Sequence, residues 1–116
     1  MDSIECKATE TYDAICRAVN ILEKMDTDLR IMKKAKRIQG KADHAIMRLR
    51  DGASSARSKA KIYVGTNWGD ADALRKVVYK DMQKGKKDVG RYSEHLFKHA
   101  KEITKIMTKI KESMEK

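Results

Sequence analysis

The chain has 116 residues, 5% of them aromatic and 38% charged, and no proline, which excludes a β-rich or multidomain protein and suits a helical bundle or coiled coil. No uninterrupted apolar stretch approaches the roughly 20 residues needed to span a bilayer. The start, Met-Asp-Ser-Ile-Glu-Cys, lacks the basic and then apolar pattern of a secretory signal, so a cytoplasmic protein is expected. The net charge of +10 is unevenly spread. Residues 1–29 carry seven acidic and three basic side chains (net −4), residues 30–61 eleven basic and two acidic (net +9), and residues 62–116 thirteen basic and eight acidic (net +5).

An apolar stripe at steps of three and four runs from Ile4 through Ile15, Leu22, Ala35, Ala42 and Leu49 to Tyr63, and resumes from Leu74 to Met114. That spacing puts its members on one face of an α-helix. The first helix is predicted to start near Ser3 and reach at least Met25. Asp26-Thr27-Asp28 reads either as a helical surface stretch or as the N-cap of a new helix. Continuity is expected through Gly40, with Asp51-Gly-Ala-Ser-Ser-Ala the preferred kink. Residues 64–72, with two glycines, Asn67 and a cap at Asp70 or Asp72, form the turn. Trp68 is expected to cover the end of the bundle. The last helix is predicted over about 71–114. The expectation is an all-α, single-domain, elongated protein with coiled-coil-like seams. It is either a helical hairpin with an N-terminal arm over about 3–63 or a three-helix bundle broken between Met25 and Gly52. In the bundle, or between chains of an oligomer, the acidic first third lies against the basic middle.

Catalysis is not expected, because no nucleophile triad, phosphate-cradling glycine loop or zinc-ligand pair occurs. Ser54 and Ser55 beside Gly52 and Arg57 make only a short phosphate-type element. His95, His99 and Glu102 share a helical face, but nothing nearby completes a metal site. No cofactor or metal is expected. Cys6 and Cys16 are ten residues apart and point to different sides of one helix, so reduced, half-buried thiols are expected rather than a disulfide.

The basic middle carries the functional expectation. Arg30, Lys34, Arg37, Lys41 and Arg48 follow steps of three, four and seven and form a ridge. Together with Lys33, Lys36, Arg50, Arg57, Lys59 and Lys61 they are candidate contacts to an anionic macromolecule, nucleic acid above all, bound without sequence specificity. The same density also reads as a solvated face. The C-terminal segment sets Leu96, Phe97, Ile103, Ile106 and Ile110 against Lys98, Lys101, Lys105 and Lys109, a pattern shared by a packed seam and a membrane-surface helix. The packed seam is preferred.

The order helix, Asn67-Trp68-Gly69-Asp70-Ala71, helix resembles the WXG family of small hairpins associated with type VII secretion. Trp68 and Gly69 are adjacent here, without the family's intervening residue, and the Tyr-x-x-x-Asp/Glu export signal is missing after Tyr79 and Tyr92. The resemblance implies a non-enzymatic hairpin that pairs with a second helical protein, with Trp68 and Gly69 on the recognition surface. A protein-partner reading of this kind adds Tyr92, Leu96, Ile103, Met107 and Ile110 of the seam to the interface.

Overall fold

The computed structural model describes residues 2–115 as three helices: α1 (Asp2–Lys24), α2 (Leu29–Gly65) and α3 (Asp72–Glu115). The arm expected over about 3–63 is therefore divided, and Asp26-Thr27-Asp28 divides it. Asp26 adopts φ 52°, a left-handed conformation that turns the chain out of α1 and that Asp tolerates better than most residues. The Thr27 hydroxyl donates to the carbonyl of Leu22 at 2.7 Å, satisfying an orphan acceptor of α1. Asp28 caps α2, its carboxylate accepting from the backbone N–H of Arg30 at 2.7 Å. α2 then runs without interruption through Gly40 and through residues 51–56, where the kink was expected.

At the other end α2 stops at Gly65, and Trp68 folds back so that its indole N–H donates to the carbonyl of Tyr63 at 3.1 Å. The Ala71 carbonyl accepts from the N–H of Arg75, so Asp72 is the first helical residue. Its carboxylate favours the positive end of the helix dipole, in place of the side-chain cap expected from Asp70 or Asp72.

α2 and α3 pair antiparallel, and α1 lies along one flank of both. Ile15, Val19 and Leu22 of α1 meet Ala35, Ile38, Ala42 and Leu49 of α2 and Val89, Leu96 and Ile103 of α3. Leu22, Leu49 and Leu96 are fully buried, each contributing about 1.5–3 kcal/mol over an exposed position. α1 is too short to cover the whole hairpin. Its Glu5 meets Arg57, and beyond that level α2 and α3 pair alone up to the turn. The molecule is a rod of 72 × 22 × 17 Å.

Candidate nucleic-acid interface

The eleven basic residues of the middle segment are all exposed except half-buried Lys59, but they do not form one patch. Helical spacing splits them into two rows. Lys36, Arg50, Arg57 and Lys61 lie on the flank toward α1, where Glu23 pairs with Lys36 at 2.9 Å and Glu5 with Arg57 at 2.6 Å. Tyr12 of α1 donates to Asp43 on the same flank. That hydrogen bond, then one with Cys16 and burial, pushes the Tyr12 hydroxyl well above the usual tyrosine range. The acidic first third thus lies against the basic middle within one chain.

The second row, Arg30, Lys34, Arg37, Lys41, Arg48 and Lys59, lies on the flank away from α1, with Lys33 at its outer edge. Among the described residues, Arg30, Lys33, Lys34, Arg37 and Lys41 have no carboxylate within ion-pair distance. Exposed pairs such as Glu23–Lys36 contribute little stability. Their consequence is electrostatic: carboxylates of α1 offset Lys36 and Arg57 on one flank of α2, and α1 forms no ion pair with the row on the other among the described residues.

α3 extends that positive flank. Lys34 shares a groove of about 990 Å³ with Lys105 and Lys109. Two carboxylates also line it, and both are engaged, Asp28 as the cap of α2 and Glu102 with His99 Nδ1 at 3.1 Å. Further along, Arg48 and Lys59 face Lys84 across a groove of about 300 Å³ that also holds Asp51, Asp81 and Asp88. The lining thus sets three cations against two carboxylates at one end of the face and three against three at the other. Lys84, Lys105 and Lys109 were not among the expected contacts. Only the antiparallel register of α2 and α3, invisible in either segment alone, brings them there.

Between these grooves Tyr92 is 9% exposed and surrounded by nitrogen-bearing side chains. The Arg48 and Arg91 guanidinium carbons lie 5.8 and 5.6 Å from its ring centroid. The His44 and His95 rings stand edge-on to it at 6.3 and 5.3 Å. The Tyr92 side chain beside it, then Asp88 and Asp51, favour the charged form of Arg48 further.

The seam residues expected at a protein interface are used inside the molecule. Tyr92, Leu96 and Ile103 belong to the intramolecular core, and Met107 and Ile110 pack half-buried against it. The stripe alone does not say which helix covers it, and here α1 and α2 do. Trp68 is half-buried over Tyr63, and Gly69, at φ 44°, is exposed. The membrane-surface pattern dissolves in the same way, with Leu96, Ile103 and Ile106 internal and Phe97 alone fully outward. No described helix is long and apolar enough to cross a membrane. His99 turns to Glu102 and His95 to Tyr92, so the His95–His99–Glu102 set does not converge. Ser54 and Ser55 lie within α2 rather than in a loop. Cys16 is half-buried and Cys6, expected to be half-buried, is exposed; both are free.

Compared with family models, curated proteins and solved structures, the chain matches none.

Proposed function

We propose that this is a non-enzymatic, cytoplasmic binding protein that tracks the phosphate backbone of nucleic acid, without sequence preference, along the face of α2 and α3 opposite α1. The observation that carries the reading is the row Arg30, Lys34, Arg37 and Lys41, exposed, without carboxylate partners among the described residues and continued across a groove by Lys105 and Lys109. Lysine and arginine arrays bind phosphates by releasing condensed counterions, so affinity falls with salt by about 0.9 log unit per log unit for each phosphate neutralised. Titrating short DNA and RNA duplexes across a salt series tests this. A row of this size predicts a slope of roughly −4 to −5. The double charge reversal R37E/K41E weakens binding to every sequence alike, and an unchanged affinity would overturn the reading.

A second reading has its own observation. Large apolar residues stay exposed at both ends of the rod: Ile62, Val64, Leu74, Val77 and Tyr79 where α1 does not reach, and Met25, Leu29 and Met114 at the other end. Such patches suit an oligomer or a helical protein partner, including one of the WXG kind. In that case L74K or V77K abolishes a complex that added salt leaves intact, while R37E/K41E has no effect.

A further inference from the structure

We propose that the side chains around Tyr92 form a seat for one phosphate group of a nucleic-acid backbone, filled more tightly as His44 and His95 gain protons. The seat rests on the nucleic-acid reading and gives it a particular anchor. Arg48, Arg91, His44 and His95 share Tyr92 as a neighbour. Arg48 comes from α2 and Arg91 from α3, both stay exposed, and both lie over one nearly buried ring. A guanidinium held beside an aromatic ring loses less side-chain freedom when it binds a phosphate. Two helices thus contribute basic side chains around one ring.

The charge count explains the role of the histidines. On this flank Asp51 and Asp88 line the groove beside Arg48 and set two negative charges against the two arginines. Asp43, the sequence neighbour of His44, is held on the α1 flank by Tyr12. Lys41, one turn before His44, and Lys98, one turn after His95, add positive charge at the margins; Glu94, next to His95, opposes it. Histidine is the side chain whose ordinary titration falls between about pH 5 and pH 8. Protonating His44 and His95 adds two positive charges to the cluster, and a bound phosphate stabilises those protons in return, because linkage between the two is reciprocal. His99, occupied by Glu102, lies outside the seat and serves as an internal reference.

The test measures duplex affinity at fixed ionic strength from about pH 8 down to about pH 5.5. In parallel, the ring titrations of the three histidines are followed by NMR with and without inorganic pyrophosphate. The expected result is affinity rising on the order of tenfold as pH falls. That rise is lost in H44Q/H95Q and in R48Q/R91Q, whose exposed positions keep the helical fold and thermal midpoint. Pyrophosphate raises the titration midpoints of His44 and His95 and leaves His99 in place. Duplex binding that R37E/K41E weakens but pH does not alter would overturn the seat and keep the backbone-tracking reading. No duplex binding, with His44 and His95 still answering to pyrophosphate, would leave an anion site at Tyr92 and overturn both the backbone-tracking reading and the seat's part in it. Equal displacement of all three histidines, or of none, would overturn the seat.

Discussion

Gly52 of α2 and Gly85 of α3 meet backbone to backbone. A Cβ on Gly85 would stand 2.6 Å from the Gly52 carbonyl oxygen, and one on Gly52 would stand 2.9 Å from that of Gly85. Neither contact ends on a flexible side chain, so a methyl group is accommodated only by separating the helices. The two residues set the close crossing that places Arg48 and Lys59 of α2 beside Lys84 and Asp88 of α3.

Gly85→Ala is therefore expected to lower stability by about 1–3 kcal/mol, the usual cost of overpacking a close contact. Gly40 has open space where a Cβ would go. Gly40→Ala is expected to raise stability by about 0.5–1 kcal/mol through helix propensity alone. Urea unfolding of the two variants checks both signs, and a stabilising Gly85→Ala would mean that the helices cross less closely.

The break between α1 and α2 depends on two neighbouring acids with opposite requirements. Asp28→Ala removes the cap on Arg30 N–H and is expected to cost about 1 kcal/mol. Asp26→Gly relieves a left-handed φ of 52° and is expected to stabilise by up to about 1 kcal/mol. Thermal midpoints moving in opposite directions would support the assignment; loss of stability in both would contradict it.

Tyr12 gives a pH dependence. Its hydroxyl titrates above its unfolded value of 10.0 because it donates to Asp43. A group whose folded value is raised contributes stability that is complete below the unfolded value and is lost as pH rises through the folded one. Stability is therefore expected to fall above about pH 10, and less steeply in Tyr12→Phe. Unfolding free energies of the two proteins at neutral and alkaline pH provide the measurement, and parallel profiles would remove Tyr12 from the account.

Much of the fold was legible because helical periodicity is local. The stripe through Ile15, Leu22, Ala42, Leu49 and Leu96 is the observed core, and continuity through Gly40 follows from neighbours that favour helix on both sides. Asp26-Thr27-Asp28 was readable as a cap, but the same letters also suit the surface of an unbroken helix. Tertiary packing chose the cap, since folding α1 back buries Val19 and Leu22. Residues 51–56 failed as a kink for the converse reason. Gly52 is weak in an isolated helix, yet here its missing side chain is what lets α3 approach.

The candidate site was less legible. Spacing, capping chemistry and charge count reside in each segment, so the all-helical chain, its turn at 64–72 and the contrast between an acidic first third and a basic middle could be read there. The tertiary structure folded α1 back within one chain and chose which basic residues it pairs with. It alone brought Arg48 and Arg91 to one tyrosine and turned Leu96 and Ile103 inward. Those outcomes depend on the rotation and register of one helix against another, which arise from contacts between residues far apart in the chain.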